Sequence, residues 1–395
     1  MRRRRDAIEV HRANGIDVLE DSREFLAHHL LLIRREAKAR EAGDVADGLV
    51  VDHRRRTVAA RPQGGWYRRT MDGELEVIRR IAARVAPRGG VSVGIGDDAA
   101  VLDDGTVLAL DMVVDGVHVR RSTHSPADIG HTALAVNISD VAAMGAAPVA
   151  AMVGLGLPPD IAADDVDAMY RAMEDLSRDH AMSIVGGDVS ASPVLSLSVA
   201  IIGRAPQGLR PVLRSGARPG DVLVVTGPLG ASAAGLICLD DPDAGGDERD
   251  ALIAAHLRPQ PQAAHGRHLA KAGATAMIDV SDGLLLDADR VGRASGLTAV
   301  IDLDAVPRVR GVDDVARAAG VDPALLACTG GEDYHLLAAL PPEAGREPHL
   351  QVVGHIQAGT PGVRAMRAGR DVTPTRLGWE HHACGSASAE PPPQG

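Results

Sequence analysis

From Met71 onward the chain alternates short β-branched runs with helical stretches, and this alternation constrains its fold more than any other feature. Thr106–Val114 is rich in strand-forming residues, whereas Ala127–Met144 has the composition of a helix. The same change from strand to helix recurs at Val149–Leu157 and Ala163–His180. The pattern therefore predicts an α/β protein.

The alternation divides into two units. A stretch rich in Pro, Gly and Arg, Pro206–Gly220, separates them and predicts a crossing between domains. After it come a strand at Val222–Thr226 and helices at Ala231–Leu239 and Ala251–Ala272. We therefore predict an N-terminal domain over residues 71–205 and a C-terminal domain over residues 206–382.

The two ends of the chain differ from this body. Residues 1–70 carry 16 Lys and Arg against 11 Asp and Glu, although the whole chain has a net charge of −11. Ser22–Gly43 has helical composition within this segment, so we expect a flexible or partly helical extension. Residues 383–395 are rich in Ser, Ala and Pro and predict a disordered tail.

Charge and composition exclude several classes of protein. The acidic balance argues against a nucleic-acid partner, and no apolar run reaches the roughly 20 residues of a membrane span. The two lysines, Lys38 and Lys271, fit neither a Walker A loop nor the lysine strand of a protein kinase. The three cysteines form no C-x-x-C pair, which favours a reducing cytoplasm.

The aspartates occupy positions that suggest chemistry. Most follow directly on an apolar run, where we predict turns, and several stand beside glycines. Magnesium prefers carboxylate and phosphate oxygens, and glycine lets backbone amides approach a phosphate closely. Together these features predict a metal–nucleotide site at five segments: Gly94–Asp98, Leu110–Asp111, Asn137–Asp140, Gly186–Asp188 and Asp279–Gly283.

Taken singly, each segment has a simpler interpretation. A Gly-Asp pair is most often a turn, and an aspartate at a helix start is most often a cap. Asn137 and Asp140 are harder to explain in this way, because they share one helix face inside an apolar stretch. An interior polar pair needs a partner or a ligand.

The order and spacing of these segments resemble the thiamine-monophosphate kinase family. The resemblance spans residues 71–382 and rests on seven blocks: Gly94–Ala100, Asp111–His118, Ala135–Gly145, Gly186–Asp188, Arg214–Asp221, Asp279–Gly283 and Gly330–Tyr334. It implies an α/β (α+β) fold with the two-domain architecture of aminoimidazole ribonucleotide synthetase. The N-terminal α/β domain would dimerise through its sheet, and a C-terminal α/β domain would follow. The implied reaction is phosphorylation of thiamine monophosphate to thiamine diphosphate by Mg²⁺ and ATP in a cytoplasmic homodimer.

The resemblance also implies a role for individual residues. The magnesium ligands would be Asp98, Asp111, Asp140, Asp188, Asp279 and Asp282. ATP would contact Tyr170, Gly186, Gly187, Arg214 and Ser281. The thiamine phosphate pocket would include His118, Glu332 and Trp379, and catalysis would rest on Asp188, Asp282 and Arg214.

Ordinary structural roles compete with several of these assignments. Tyr170 could be a core residue of its helix, Arg214 an exposed loop arginine, and Trp379 a cap on the core. The chain also departs from the family, because Ala109 and Leu110 stand where hydroxyl residues usually precede the aspartate. Either a metal ligand is lost there or main-chain oxygens replace it.

The expected mechanism is direct in-line transfer. The transition state of phosphoryl transfer is loose, so positioning and charge neutralisation supply most of the catalysis. The attacking phosphate oxygen is already anionic, so no strong general base is needed and no phosphoenzyme is expected.

Other functions remain open at this point. A two-metal phosphohydrolase would show similar aspartate turns, and a degenerate module would bind ATP without turnover. Within the superfamily, the absence of a cysteine just before Gly94 disfavours selenophosphate synthetase, and the Pro-Pro-Pro-Gln-Gly end disfavours the hydrogenase maturation relative. Aminoimidazole ribonucleotide synthetase itself fits the 279–283 and 330–334 blocks less well.

Overall fold

The structure is a computed structural model that describes residues 74–347 and 350–379. The predicted extension at residues 1–70 and the predicted tail at residues 383–395 lie outside the described residues.

The first unit is a six-stranded sheet with three helices. Its strands are β1 (Val91–Val93), β2 (Ala100–Leu102), β3 (Thr106–Val114), β4 (Ala147–Leu157), β5 (Ser183–Ala191) and β6 (Ser196–Arg204). Its helices are α1 (Glu74–Ala82), α2 (Pro126–Ala143) and α3 (Ala163–Asp179). The strands lie in the order β1-β2-β3-β6-β4-β5, and among them only β4 and β5 pair in parallel.

Helix α2 is the central element of the molecule. It begins with a capping box in which the Asp128 amide donates to Ser125 Oγ at 3.2 Å and the Ser125 amide donates to the Asp128 carboxylate at 3.0 Å. Pro126 at its first position suits a helix start. The helix is apolar on all sides and is buried almost throughout, as that composition requires.

The second unit is a seven-stranded sheet with six helices. Its strands are β7 (Val222–Val225), β8 (Ala276–Asp279), β9 (Thr298–Asp302), β10 (Leu336–Leu340), β11 (Gln351–Gln357), β12 (Gly362–Arg367) and β13 (Arg370–Asp371). Its helices are α4 (Ala231–Asp240), α5 (Arg249–Leu257), α6 (Ala263–Lys271), α7 (Leu284–Ser295), α8 (Val312–Ala318) and α9 (Pro323–Thr329). Short 3₁₀ turns occur at Gly246–Glu248 and Ala344–Arg346, and the strands lie in the order β13-β12-β9-β11-β7-β10-β8.

The two faces of the second sheet belong to different cores, since side chains alternate along a strand. Val224 and Met277 join the core that contains α2 and the first sheet. Leu223 and Ile278 point the other way, into the core beneath α7 and α9. Helix α2 therefore packs against both units. The two sheets with their helices confirm the predicted α/β fold class.

The predicted helix at Ala251–Ala272 is wrong as a single element. The structure has two helices, α5 and α6, separated by a segment that contains Pro259 and Pro261. Each proline lacks the amide that would continue an α-helical hydrogen-bond ladder, so the helix ends before them.

The expectation that most aspartates sit in turns is also partly wrong. Asp97 and Asp98 lie in the loop between β1 and β2, as expected. Asp111 and Asp188, however, lie within strands β3 and β5, and Asp140 lies in the last turn of α2. An aspartate inside an element can still face a site if its neighbours on the same face leave room for it.

Helices α2 and α3 cover one face of the first sheet, and no element of the described residues covers the other face. Large apolar side chains on the bare face are between about a third and three fifths exposed; they are Leu108 (36%), Leu110 (58%), Met112 (49%), Met152 (53%) and Ile202 (38%). The strand register brings these residues together, because Leu108 pairs with Ile202 and Leu110 pairs with Ala200, which pairs with Met152. We call this surface the bare sheet face.

No helix among the described residues is long and apolar enough to cross a membrane.

Candidate active site

Three carboxylates from separate elements meet between the two units. Asp98 comes from the loop before β2, Asp140 from the last turn of α2, and Asp279 is the final residue of β8. Their nearest carboxylate oxygens all lie within 4.8 Å of one another, and no other described group of three metal-ligating residues is so close. We call these three residues the acidic cluster.

Burial and mutual repulsion set the charge of the acidic cluster. Burial, followed by the charges of Asp111, Asp279 and Asp98, raises the pKa of Asp140 well above its ordinary value. Burial and the charge of Asp98 likewise raise the pKa of Asp279, against the opposing hydrogen bond from Ser139 Oγ at 2.6 Å. The site thus concentrates negative charge that is costly without a cation.

Arg214 supplies the nearest positive charge. Its Nε and Nη2 atoms both donate to Asp98 Oδ1, at 3.1 and 2.6 Å, and its backbone amide donates to Asp97. Burial alone would lower the pKa of Arg214, but the charge and hydrogen bonds of Asp98 give a net increase. Arg214 is therefore a built part of the site, contrary to the alternative of an exposed loop arginine.

The two carboxylate oxygens of Asp98 differ in their hydrogen bonds. Asp98 Oδ2 is fully buried and has no hydrogen-bond partner among the described residues, although Oδ1 accepts two hydrogen bonds from Arg214. A buried carboxylate oxygen rarely goes without a partner. An all-oxygen set with one unpaired oxygen and excess negative charge fits a hard divalent cation such as Mg²⁺.

Asn137 links this region to the first sheet. Its Oδ1 accepts a hydrogen bond from the Asp111 amide at 2.9 Å, and its Nδ2 donates to the Ala133 carbonyl at 2.9 Å. The polar pair on α2 thus has two different environments, since Asn137 binds backbone while Asp140 faces other acids. Asp111 lies close enough to raise the pKa of Asp140, which puts it beside the acidic cluster.

The loop after Asp279 is fixed by its own carbonyl oxygens. The carbonyls of the next three residues accept backbone hydrogen bonds, in order, from Tyr334 at 3.0 Å, Glu332 at 2.7 Å and Trp379 at 2.9 Å. These contacts bring three sequence-distant segments to one place. They also put two residues of the predicted thiamine pocket, Glu332 and Trp379, next to the loop that follows Asp279.

The side chain of Asp282 is held by an ion-pair network. Arg290 Nη2 donates to Asp282 Oδ2 at 2.5 Å, and Arg290 Nη1 donates to Asp287 Oδ1 at 2.6 Å. Asp287 in turn accepts from the backbone amides of Asp282 and Gly283, at 3.2 and 3.1 Å. Asp282 follows Asp279 of the acidic cluster by three residues, but the ion pair with Arg290 sets the orientation of its carboxylate.

Two neighbouring acids close the other side of the site. Burial, with the charges of Asp282 and Asp333, raises the pKa of Glu332 to about 7. Burial also raises the pKa of Asp333 to about 7, although Asp333 accepts from the Gly230 amide at 2.8 Å. Glu332 has a positive φ of 57°, a conformation that non-glycine residues adopt at a cost.

The structure does not bring Asp188 into the acidic cluster. Asp188 lies on edge strand β5, and strand pairing aligns it with Gly154, Ser198 and Met112, on the bare sheet face. Three strand spacings of about 4.8 Å put it about 14 Å from β3 along the sheet. Its Oδ2 accepts from Ser190 Oγ at 3.2 Å. Gly186 and Gly187 lie on the same exposed strand.

Two other predicted residues also lie apart from the acidic cluster. Tyr170 is half-buried on α3 and packs against the first core. Burial raises its pKa. His118 follows β3 in a tight turn, where its Nδ1 accepts from the Val114 amide at 3.2 Å.

Sequence reasoning missed several residues that shape the site. Asp287 and Arg290 share a face of α7, three residues apart, and that spacing directly after Asp279–Gly283 was the available signal. Asp333 and Ser139 gave no comparable signal, because their roles depend on contacts between distant segments.

Family models and a curated relative match most of this chain. The N-terminal domain of AIR synthase related proteins matches residues 96–205, and the C-terminal domain of those proteins matches residues 218–365. The thiamine-monophosphate kinase of Salmonella typhimurium is 38% identical over 333 residues, which cover 79% of this chain and 98% of the relative.

Two solved structures share the fold. AaThiL complexed with AMPPCP and TMP has a TM-score of 0.70 at 32% identity, covering 78% of this chain and 97% of the other. Thiamine monophosphate kinase (ThiL) from Aquifex aeolicus has a TM-score of 0.68 at 31% identity, covering 76% and 98%. The likeness thus extends over nearly the whole of each neighbour.

Proposed function

The chain belongs to the thiamine-monophosphate kinase family, and we propose that it transfers the γ-phosphoryl group of ATP directly to the phosphate of thiamine monophosphate, with Mg²⁺ bound by its acidic residues. The family resemblance predicted from the sequence blocks is confirmed. The observation that carries the proposal is the acidic cluster, in which the buried Asp98 Oδ2 finds no hydrogen-bond partner in the described part of the chain and negative charge is in excess.

Asp98, Asp140 and Asp279 would hold Mg²⁺, with Asp111 beside them and Asp282 on the loop that follows Asp279. Asp188 lies apart from these residues on edge strand β5 and would hold a separate Mg²⁺ ion that binds with ATP. Bound Mg²⁺ neutralises phosphate charge and orients the phosphoryl group. Main-chain oxygens near Asp111 would serve where Ala109 and Leu110 replace hydroxyl residues.

Arg214 would contact the transferring phosphate. Its planar guanidinium can bind a carboxylate and a phosphate oxygen together, because it offers five donors. On the nucleotide side, Ser281 lies in the fixed loop after Asp279, and we assign Tyr170, Gly186 and Gly187 to ATP as well. Glycine at position 186 leaves open space in which a phosphate oxygen could approach the backbone of β5, whereas glycine at position 187 is required by the close backbone of Val153 on β4.

The thiamine side of the site would be formed by Glu332 and Trp379, together with His118. Both Glu332 and Trp379 donate backbone hydrogen bonds to the loop that contains Asp282, which fixes their distance from the metal site. The Trp379 ring offers a stacking surface for a heterocycle. Glu332 offers a hydrogen-bonding carboxyl group.

The chain needs no general base for this reaction. The acceptor is a phosphate oxygen that already carries negative charge at neutral pH, so the protein's task is to bring two anions together. Asp188, Asp282 and Arg214 would serve this task by holding charge in place. No side chain would carry the phosphoryl group between the substrates.

We also propose that the chain is a homodimer that joins through the bare sheet face. Five large apolar side chains are exposed there on paired strands, and an apolar surface of this kind marks an interaction site. A second copy of the same face would cover it with like residues, as a two-fold interface requires.

We further propose that the chain is located in the cytoplasm. The free thiols of Cys238 and Cys328 are consistent with that reducing compartment.

The proposal is tested by the dependence of ADP formation on the acceptor. Purified protein is incubated with Mg-ATP, with and without thiamine monophosphate, and the products are identified by mass spectrometry. We expect thiamine diphosphate and ADP in equal amounts, and little ADP without the acceptor. Phosphate release regardless of acceptor would favour a hydrolase instead, and ATP binding without turnover would indicate a degenerate module.

A further inference from the structure

A buried histidine on helix α5 contacts the side chain of Glu332. His256 lies on α5 with its side chain only 5% exposed, and its Nδ1 is 3.4 Å from Glu332 Oε2. The same ring nitrogen is 2.9 Å from the hydroxyl oxygen of Ser232, in the first turn of α4. His256 thus joins Glu332 to the start of a helix.

The chemistry of this contact orients the ring. Burial, with the nearby charges of His124 and Arg120, lowers the pKa of His256 to about 3, so the ring is neutral and carries one proton. With its proton on Nδ1, the ring donates toward Ser232 Oγ and Glu332 Oε2; with its proton on Nε2, Nδ1 accepts from the Ser232 hydroxyl or from a protonated Glu332 carboxyl group. In both forms Nδ1 faces the Glu332 carboxyl group.

The start of α4 also holds the side chain of the next residue in that loop, Asp333. The amides of Gly230 and Ser232 donate to the Asp333 carboxylate, at 2.8 and 3.4 Å. One helix end therefore fixes both acids, Asp333 directly and Glu332 through His256.

The first unit completes the arrangement. His124, from the loop before α2, packs edge-on against His256 with ring centroids 5.5 Å apart and an angle of 70° between the rings. His124 is itself buried, and its Nδ1 contacts Thr123 Oγ1 at 3.0 Å. The position of His256 thus depends on how the two units meet.

We propose that His256 is a positioning residue that aims the Glu332 carboxyl group at the heterocycle of thiamine monophosphate. This inference rests on the proposed function, which puts Glu332 in the thiamine pocket. His256 itself stays out of reach of the substrate and acts through Glu332. Because Glu332 would contact the thiamine moiety and not ATP, loss of His256 weakens recognition of one substrate only.

The test compares H256L with H256N. Leucine fills the space without a hydrogen-bonding group, whereas the asparagine amide keeps a donor near the position of Nδ1. We expect H256L to raise the KM for thiamine monophosphate about tenfold or more, with the KM for ATP changed less than twofold and kcat less than threefold. H256N should restore the KM to within about threefold of wild type.

His131 provides a matched control, since it is a second buried histidine between the two units. Its Nε2 contacts the Pro259 carbonyl at 2.8 Å, in the segment that follows α5. H131L should lower the melting temperature, because it leaves that buried carbonyl without its partner, yet keep the KM for thiamine monophosphate unchanged.

The outcomes separate the two proposals. An active wild type with a normal KM in H256L, or an equal rise of both KM values, would overturn the role of His256 alone. A wild type that forms no thiamine diphosphate would overturn the proposed function and, with it, the substrate assigned here. If H256L does not fold, S232A removes the other contact of Nδ1 and should raise the KM for thiamine monophosphate selectively; an unchanged KM would again contradict the inference.

Discussion

At the scale of single residues, the acidic cluster lowers the stability of the folded chain but provides the proposed binding site for Mg²⁺. Asp98, Asp140 and Asp279 are held closer than charged groups favour, and two of them have their pKa raised well above the ordinary value by burial and by their neighbours. Such a site has an electrostatic cost that the proposed Mg²⁺ would offset. Removing one charge should therefore have opposite effects on stability and on function.

The variant D140N tests this directly. Without metal, we expect a melting temperature several degrees above wild type, because one buried charge is gone. Added Mg²⁺ should stabilise wild type but not D140N, and kinase activity should fall at least about a hundredfold. Thermal unfolding in EDTA and in Mg²⁺, together with turnover, gives all three values.

The exposed turn residue Asp103 supplies the control, since D103N changes the same charge far from the cluster. It should match wild type in all three measurements. A D140N protein that binds Mg²⁺ normally would contradict the assignment of this residue to the metal site.

Asp333 gives a pH dependence with a definite sign. Its pKa is about 7 in the folded chain against an ordinary value of 3.8, so the folded state binds the proton more tightly than the unfolded state. The stabilisation is complete below about pH 4 and is lost as the pH rises through about 7. From pH 5 to 8 in EDTA, the free energy of unfolding of D333N should therefore rise relative to wild type by about 2 to 4 kcal/mol. Urea titrations at several pH values measure the difference, and parallel curves for the two proteins would refute it.

Residue types and local spacing drew attention to the segments that contain these carboxylates, and the family resemblance assigned the individual residues. Asp98, Asp140 and Asp279 stand next to apolar runs or inside one, where a charge demands an explanation. They were not enough to predict His256 or Arg290. Those side chains matter only because the fold brings α5 beside Glu332 and turns α7 back toward Asp282.

At the scale of elements, edge strand β5 is where sequence and structure differ most. Gly186–Asp188 reads as a turn in the sequence but lies within the strand, since pairing with β4 continues through it. The two glycines lack the side chains from which strands are usually recognised. The strand thereby carries Asp188 to the bare sheet face, apart from the acidic cluster.

The variant D188N tests what that strand contributes. Because Asp188 is exposed, we expect the melting temperature in EDTA to stay within about one degree of wild type, unlike that of D140N. Kinase activity should nevertheless be lost, because Asp188 is proposed to bind the metal that accompanies ATP. Full activity in D188N would remove Asp188 from the site and leave the acidic cluster as its metal-binding part.

The bounds of two helical regions also show what local sequence signals could predict and what was missed. The start of α2 could be predicted from Ser125 and Pro126, since a cap and a first-turn proline are local signals. The break between α5 and α6 was missed even though Pro259 and Pro261 stand in it. The helical composition on both sides outweighed the prolines in the sequence interpretation.

At the scale of the whole molecule, the bare sheet face sets the expected assembly. The chain has a mass of 41.0 kDa, so a dimer would have about twice that mass. M112D places a charge at the centre of the face, where a matching copy would bury it. We expect wild type to be a dimer and M112D a monomer by light scattering after size exclusion.

Leu209 offers a control outside the face, because it is similarly exposed (39%) but lies in the segment between the two units. L209D should remain dimeric. A monomeric wild type, or a dimer in M112D, would show that this face is not the interface.

The central claim is direct transfer between ATP and thiamine monophosphate, and a single-turnover experiment with γ-³²P-ATP tests it most directly. Enzyme in excess is mixed with labelled ATP, Mg²⁺ and thiamine monophosphate, and is quenched at successive times. We predict that label appears in thiamine diphosphate as fast as ADP forms, with none passing through the protein. Labelled protein that precedes the product, or label released as inorganic phosphate whether or not the acceptor is present, would contradict the account.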